Sequence, residues 1–313
     1  MRLRLLIVLS ALGIAMPCDL FADDNAGPVK VFLLAGQSNM QGAGQIKMNP
    51  NRNEGKGSLE YLVRNKKSKK QFAHTIDANG KWVVRDDVSI WYLGRKGGLS
   101  VGYGARPTAI GPEFQFGHVM GDYFQEHVLI IKTAWGGKTL AGDFRPPSSG
   151  GETGSYYKEM LDHVRNVLRN LDKEFPKLAG RRYEIVGLGW HQGWNDGLKM
   201  DWVKEYEGNL ANFIRDLRKD LHAENMRTVI AVSGFGGRKQ KIDRRLGIIA
   251  AQHGVAKQKE FQETVASVET RDFFRPPEES PSRQGYHWNS NAETYFLIGD
   301  GMAKAMIRLL GAK

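Results

Sequence analysis

Residues 31–42 read VFLLAGQSNMQG, and this stretch decides how the rest of the sequence is interpreted. Its first five residues are apolar without a break, which is typical of a strand buried on both faces of a parallel sheet. Ser38 follows that strand almost at once. The carboxyl ends of parallel strands form the edge at which α/β sheets bind ligands. We therefore predict that the Ser38 hydroxyl lies at a binding edge.

Further apolar runs of strand length follow in the 313-residue chain, with helical patterns between them. Most runs are continuous and rich in Val and Ile, as buried parallel strands are. Apolar residues spaced as on one face of a helix occur at 160–171, 210–221 and 292–310. This alternation predicts an α/β fold, a three-layer α/β/α sandwich with a central parallel sheet of about five strands. The predicted strands are residues 29–35, 128–134, 183–190, 228–233 and 264–268.

Residues 45–110 interrupt this alternation of strands and helices, because no helical period is evident in them. The sequence DANG at 77–80 is a hairpin signal, and strand-like residues flank it at 82–84 and 90–92. We interpret the segment as a β-rich insertion after the first strand that shapes the substrate site. Residues 23–313 are predicted to form a single domain that contains this insertion.

The first 22 residues have the layout of a secretory signal peptide. Arg2 and Arg4 precede an apolar run, and Ala22 is followed by acidic residues. The protein is therefore predicted to be secreted or periplasmic, with residues 1–22 removed. A lipoprotein anchor at Cys18 is not expected, because methionine and proline precede it in place of small residues.

Cys18 is the only cysteine of the chain, so the cleaved protein would have none. Disulfides, thiolate catalysis and cysteine-bound zinc are thereby excluded. The eight histidines show no metal-ligand spacing, so neither a metal nor another cofactor is expected. No segment after the leader is apolar for 18 residues, and no membrane span is predicted.

The chain carries a net charge of +11. A solvated basic surface explains this charge, and attraction to an anionic glycan is the alternative. The basic cluster at residues 64–70 lacks interleaved aromatic residues of the kind that stack on nucleic-acid bases. No nucleic-acid partner is therefore expected.

Three further polar stretches lie beyond predicted strands, and they could serve a serine nucleophile. They read WGGKT at 135–139, WHQGWND at 190–196 and GYHWN at 285–289. A serine hydroxyl needs an adjacent base, usually histidine, and acyl transfer needs hydrogen-bond donors at the oxyanion. His287 could be the base. The donors could be the backbone N–H groups of Ser38 and Gly137 and the side-chain amide of Gln192.

The blocks GQSNM (36–40), GGKT (136–139), HQG (191–193) and YH (286–287) resemble, in order, those of the SGNH (GDSL-like) hydrolases. More narrowly, they resemble carbohydrate esterases of the acetylxylan esterase and sialate O-acetylesterase group, over nearly the whole chain after the leader. The resemblance implies a flavodoxin-like fold and an exported serine esterase that deacetylates O-acetylated carbohydrate through an acyl-enzyme, without a cofactor. It implies Ser38 as nucleophile, His287 as general base, and Ser38, Gly137 and Gln192 as the oxyanion hole.

Two departures from the family pattern leave the partner of His287 open. The position three residues before it, usually acidic in the family, is Gln284, and the Glu that often follows the HQG block is replaced by Trp194. Asp196 is the first candidate for the residue that orients the histidine and Asp272 the second, with a Ser–His dyad as the third option. The departures also motivate an alternative function, a catalytically inactive glycan-binding protein on an esterase scaffold.

The last helical pattern predicts how the His287 loop is held. Ser290 and Glu293 have the spacing of a capping box at the start of that helix. Arg145 and Arg275 could bind a carboxylate or sulfate of the substrate, although proline-flanked surface loops explain them as well. The candidate substrate-binding residues are Asn39, Arg145, Trp194 and Asp272.

Overall fold

A computed structural model of the protein describes residues 27–234 and 236–311. The predicted signal peptide, residues 1–22, and Cys18 lie outside the described residues. Within the described ranges, no helix is both long enough and apolar enough to cross a membrane.

Strands and helices alternate along most of the described chain. The strands are β1 (Val29–Gly36), β2 (Gly44–Gln45), β3 (Val88–Tyr92), β4 (Arg95–Gly98), β5 (Ala109–Ile110), β6 (Val128–Ala134), β7 (Tyr183–His191), β8 (Arg227–Ala231) and β9 (Val265–Val268). The helices are α1 (Ser38–Gln41), α2 (Leu59–Arg64), α3 (Lys69–Phe72), α4 (Glu113–Tyr123), α5 (Ser155–Arg169), α6 (Leu171–Glu174), α7 (Met200–Asp220), α8 (Asp243–Lys257) and α9 (Ala292–Gly311).

Seven strands of the described residues form one mixed sheet in the order β4-β3-β6-β1-β7-β8-β9. All neighbours pair in parallel except β3 and β4 at one edge, which pair antiparallel. The strand β1 lies in the middle, and its last residue, Gly36, is in register with Ala134 of β6 and His191 of β7. The carboxyl ends of these three strands therefore meet at one edge of the sheet.

Helices cover both faces of this sheet. Successive side chains of a strand point to opposite faces, and in β1 both sets are buried. Val31 and Leu33 pack in a core with α5, α6, α7 and α8, whereas Phe32 and Leu34 pack in a second core with α4 and α9. The predicted three-layer α/β/α sandwich is confirmed.

The sheet has more strands than the five or so that the sequence predicts, and it is not purely parallel. The strand β3 lies inside the predicted insertion, yet it joins the main sheet beside β6, because all five of its side chains are buried. The strand β4 follows as the second arm of a hairpin and has the sequence RKGG, which gave no apolar signal.

Residues 45–110 are also less β-rich than predicted. They include α2 and α3, whose apolar residues pack in a third hydrophobic cluster with the first turns of α4 and α9. The predicted turn at residues 77–80 forms, and the Asp77 carboxylate accepts hydrogen bonds from two backbone N–H groups there. The strand expected after the turn is reduced to a bridge between Ile76 and Trp82.

Candidate active site

Ser38 is the first residue of α1, directly beyond the carboxyl end of β1. Gly36, two residues before it, has a φ of 150°, and a Cβ added to it would lie 2.3 Å from the carbonyl oxygen of His191. A residue with a side chain would therefore force the ends of β1 and β7 apart. The glycine at this position lets the Ser38 turn sit directly against the end of β7.

Gln37 ties the Ser38 turn to the loop that follows β7. Its side chain is buried, and its Oε1 accepts the backbone N–H groups of Gly193 at 3.1 Å and Asn195 at 3.3 Å. Its Nε2 donates to Oδ1 of Asn195 at 3.1 Å. Because these contacts join two loops far apart in sequence, they fix the position of Ser38 relative to residues 192–196.

Ser38 borders two adjoining cavities, of about 260 Å³ and about 270 Å³. Gln41 and His287 also line both of them. The predicted nucleophile and the predicted base therefore face the same space. The hydrogen bonds of the described residues include none between Ser38 and the His287 ring, and catalytic hydrogen bonds often tighten only when substrate is bound.

His287 begins a turn of left-handed backbone. Residues 287–290 have φ values of 49°, 50°, 55° and 59°, and none of them is glycine. This region costs an L-residue roughly 1–2 kcal/mol relative to the right-handed one. Strain of this kind persists where the surrounding structure imposes it, and it is concentrated at functional sites.

Contacts of two neighbouring side chains hold this turn. Asn289 accepts the N–H of Gly285 at 3.0 Å through Oδ1 and donates to the carbonyl of Arg275 at 3.2 Å through Nδ2. The Trp288 indole is buried and occupies the space that a Cβ on Gly234 would need. These contacts fix the backbone turn from which the His287 side chain extends.

The helix after the turn begins differently from the prediction. The residue before α9 is Asn291, whose Oδ1 accepts the N–H of Thr294 at 3.2 Å. The predicted capping box of Ser290 and Glu293 is wrong, because Ser290 belongs to the left-handed turn and the Glu293 carboxylate accepts a hydrogen bond from Arg275 instead.

The surroundings of His287 favour its neutral form. Burial of the imidazole, and second the positive charge of Arg106, lower the pKa of His287 below its ordinary value of 6.5. In the described part of the chain no carboxylate contributes to this shift. A neutral imidazole near pH 7 can accept a proton, as a general base must.

Asp196, the first candidate for orienting His287, is engaged elsewhere. Its buried carboxylate accepts the backbone N–H groups of Leu140 at 3.0 Å and Ala141 at 2.9 Å, and an amide N–H of Gln192. Burial raises the pKa of Asp196 to about 6, while these hydrogen bonds oppose the rise. The carboxylate thus supports the loop of residues 136–142, and His287 is not among its hydrogen-bond partners in the described residues.

The side chain of Gln192, predicted to contribute to the oxyanion hole, is also committed inside the protein. It is buried, and its Nε2 donates to Asp196 and, at 3.0 Å, to the carbonyl of Lys138. Its Oε1 accepts the Tyr206 hydroxyl at 2.9 Å. Since both amide hydrogens have acceptors, Gln192 has none left for an oxyanion.

Asn195, which the sequence analysis did not select, is better placed to donate a hydrogen bond to an oxyanion. It borders the second cavity with Ser38 and Gly137, and its Nδ2 donates to the Gly137 carbonyl at 2.8 Å. An amide nitrogen carries two hydrogens, so one remains for a ligand. The backbone N–H groups of Ser38 and Gly137 have no acceptor among the hydrogen bonds of the described residues. The signal in the sequence was a second amide three residues after Gln192.

Two of the four candidate substrate-binding residues reach the cavities. Asn39 and Trp194 border the second cavity together with Ser38. The Trp194 ring is half-buried and lies 4.9 Å from the Arg245 guanidinium.

Arg145 and Asp272 border neither cavity. Arg145 donates to Glu205 at 2.9 Å, and Asp272 accepts from Arg238 at 2.8 Å on an exposed surface. Their positions do not support substrate binding beside Ser38, and Asp272 is paired with an arginine instead of with His287. Among the described residues, no group of three or more His, Cys, Asp or Glu side chains is placed to hold a metal ion.

Comparison with known proteins adds an independent line of evidence. Residues 28–308 match the family described as carbohydrate esterase, sialic acid-specific acetylesterase. No curated protein matches the chain.

Several solved structures share the fold. A protein from Arabidopsis thaliana has a TM-score of 0.56 at 16% identity, covering 90% of this chain and 98% of that one. NanS has a TM-score of 0.56 at 12% identity, covering 92% and 99%. A carbohydrate acetylesterase from Xanthomonas citri has a TM-score of 0.53 at 13% identity, covering 88% of this chain and 57% of that one.

Proposed function

This chain belongs to the carbohydrate esterase family described as sialic acid-specific acetylesterase, and we propose that it hydrolyses O-acetyl esters of carbohydrate with Ser38 as its nucleophile. The proposed substrates are acetylated sugars of the sialate or acetylxylan type. The observation that carries the proposal is the position of Ser38 and His287 on the same two cavities, at the carboxyl edge of the sheet.

In the proposed mechanism, Ser38 Oγ attacks the acetyl carbonyl while His287 takes the hydroxyl proton. The backbone N–H groups of Ser38 and Gly137 and the side-chain amide of Asn195 donate to the oxyanion. The sugar hydroxyl leaves with the proton from His287. Water, deprotonated by the same imidazole, then releases acetate from the acyl-enzyme.

We propose that Ser38 and His287 act as a dyad. In a Ser-His-Asp triad an acid holds the imidazole, whereas here the candidate acids Asp196 and Asp272 are engaged elsewhere. The left-handed turn fixed by Asn289 takes over the orienting role. Asp196 serves catalysis indirectly, by anchoring the loop that presents the N–H of Gly137.

The test is acetate release from O-acetylated sugars and from p-nitrophenyl acetate by the protein lacking residues 1–22. Ser38→Ala should lower turnover at least about 10³-fold, as loss of a nucleophile does. The control Ser155→Ala removes an exposed hydroxyl at the start of α5 and should retain activity. Turnover that survives Ser38→Ala excludes the mechanism. Binding of an acetylated glycan without acetate release would favour the inactive glycan-binding alternative.

We also propose that the protein acts outside the cytoplasm, because residues 1–22 have the layout of an export signal. Amino-terminal sequencing of the protein recovered from its producing cells should begin after Ala22. A protein that retains residues 1–22 in the cytoplasm would contradict this.

A further inference from the structure

We propose that the side-chain oxygen of Gln41 accepts a hydrogen bond from a free hydroxyl of the substrate, on the carbon next to the acetyl ester. The protein then prefers an acetylated sugar whose neighbouring position is not acetylated. This inference rests on the esterase function proposed above and specifies which esters are removed. It concerns a residue that the sequence analysis did not select for the site.

Gln41 lies beside the proposed nucleophile. It is the last residue of α1, three residues after Ser38, and residues at this spacing are neighbours on a helix surface. The half-buried Gln41 lines both cavities together with Ser38 and His287. A substrate whose acetyl group lies at Ser38 therefore has its neighbouring atoms within reach of Gln41.

Tyr92 fixes the orientation of the Gln41 amide. The Gln41 Nε2 lies 2.9 Å from the Tyr92 hydroxyl, which donates its single hydrogen to the carbonyl of Ala134 at 3.3 Å. Burial raises the pKa of Tyr92 above its ordinary value of 10.0, so the hydroxyl keeps this hydrogen at neutral pH. The hydroxyl can then only accept from the amide. Nε2 is therefore the atom that faces Tyr92, and Oε1 is the atom left for a ligand.

The Oε1 atom of Gln41 is not used by the fold. Among the described residues, no group donates a hydrogen bond to it, and it is not one of the buried polar atoms. A carbonyl oxygen accepts hydrogen bonds but cannot donate one. It therefore favours a ligand that carries a hydroxyl hydrogen over one that presents the oxygen of an ester or ether at the same place.

Gly136 leaves open the space between this acceptor and the nucleophile. A Cβ added to Gly136 would lie 3.1 Å from Oε1 of Gln41 and 4.0 Å from Cβ of Ser38. The space in front of Gly136 thus borders both side chains. In an acetylated sugar, the hydroxyl on the next carbon is the donor nearest to the ester bond that breaks, so it is the group that fits this space.

The backbone of Gln41 is anchored as well. Its N–H donates to the carbonyl of Gln37 at 2.9 Å, and its carbonyl accepts the buried Lys132 Nζ at 2.6 Å. Backbone and side chain are therefore held before a substrate binds. An acceptor held in advance can discriminate between substrates without the entropic cost of ordering it.

The experiment compares kcat/KM for pairs of monoacetylated sugars that differ in one hydroxyl. One pair is built on a methyl xyloside and the other on a methyl sialoside, and in each the hydroxyl next to the ester is either free or replaced by hydrogen. A mildly acidic buffer limits migration of the acetyl group to the free hydroxyl. The wild-type protein should prefer the free hydroxyl in at least one pair by about five- to tenfold, as a neutral hydrogen bond provides.

Variants assign this preference to Gln41. Gln41→Ala should bring the hydroxyl-to-deoxy ratio close to one, whereas general damage to the active site would slow both sugars and leave the ratio in place. Tyr92→Phe should retain only part of the preference, because the amide loses the partner that orients it. Gly136→Ala should also lower the ratio, since its methyl group would lie in front of Oε1.

A matched control is Gln71→Ala, which removes an exposed glutamine of α3 outside both cavity linings. It should retain the wild-type ratio. Thermal unfolding of each variant checks that the fold is kept.

The two proposals fail in different ways. Ser38-dependent acetate release with equal kcat/KM for both members of each pair, or a preference unchanged in Gln41→Ala, would overturn the Gln41 inference alone. So would Ser38-dependent turnover of p-nitrophenyl acetate without turnover of either sugar pair. Absence of Ser38-dependent turnover on every acetyl ester, including p-nitrophenyl acetate, would overturn the esterase function first.

Discussion

Among single residues, His287 is the one whose chemistry depends most on its neighbours. Burial and the charge of Arg106 both favour its neutral form. The sequence indicated Ser38 as the nucleophile and His287 as the base, but it did not indicate which groups surround them. Whether the Gln192 amide can bind a ligand depends on its hydrogen bonds with Asp196 and Tyr206, and these form only in the folded chain.

The pH dependence of catalysis follows from the burial of His287 and from the charge of Arg106. The acidic limb of kcat/KM for p-nitrophenyl acetate should lie below the ordinary histidine value of 6.5, because the imidazole stays unprotonated at lower pH. Arg106→Gln removes a repelling cation, so the pKa of His287 should rise and the limb should move to higher pH. Profiles from pH 4 to 8 measure this, with Arg283→Gln as the control of equal charge. A limb that stays in place or moves down would contradict the assignment.

Among the elements, the strands beside the site were the most predictable. The strands β1, β6 and β7 are rich in apolar residues because most of their side chains are buried between the two helical layers. The strand β3 was misplaced in a separate insertion, since its membership of the main sheet depends on pairing with the distant β6. The left-handed turn at 287–290 had no local signal, because its conformation is imposed by Asn289 and Trp288 contacts.

This turn supports a prediction about Asn289. Asn289→Ala loses two hydrogen bonds, and alanine in this left-handed backbone has no polar side chain to compensate for the strain. The substitution should therefore destabilise the protein by about 1–3 kcal/mol. It should also lower kcat, because the His287 ring loses its fixed direction.

Two variants separate the causes of that effect. Asn289→Gly loses the same hydrogen bonds but tolerates the left-handed conformation, so it should be less harmful than Asn289→Ala. Asn170→Ala removes a half-buried asparagine between α5 and α6 whose side chain bonds to Asn166, and it should leave kcat unchanged. Urea unfolding and kcat measurements decide. Equal losses for Ala and Gly at position 289 would argue against backbone strain.

For the molecule as a whole, a buried ion pair links the sheet to the site. Lys132 of β6 and Glu113 of α4 are fully buried and 2.6 Å apart. The same Lys132 contacts the carbonyls of Gln41 and Tyr103. The sequence analysis selected neither residue, because Glu113 and Lys132 lie on different elements that only the three-dimensional fold brings together.

Replacing one partner of this ion pair should lower the free energy of unfolding far more than replacing both. Lys132→Met leaves the Glu113 carboxylate buried without its partner, so a loss of about 3–5 kcal/mol in unfolding free energy is expected. The double variant Lys132→Met with Glu113→Gln should be less destabilised than the single one. The partly exposed pair Lys96–Glu174 is the control, and Lys96→Met should cost less than about 1 kcal/mol. Urea denaturation at pH 7 measures all three, and a double variant no more stable than Lys132→Met would oppose this interpretation.

The most direct test of the account is covalent labelling by an organophosphonate ester, with the modified residue located by peptide mass spectrometry. The label should appear on Ser38, and His287→Ala should slow the labelling at least about 10²-fold, the smaller effect expected for loss of a general base. A label on another residue, or one that forms on Ser38 equally fast without the imidazole, would contradict the proposed pairing of nucleophile and base.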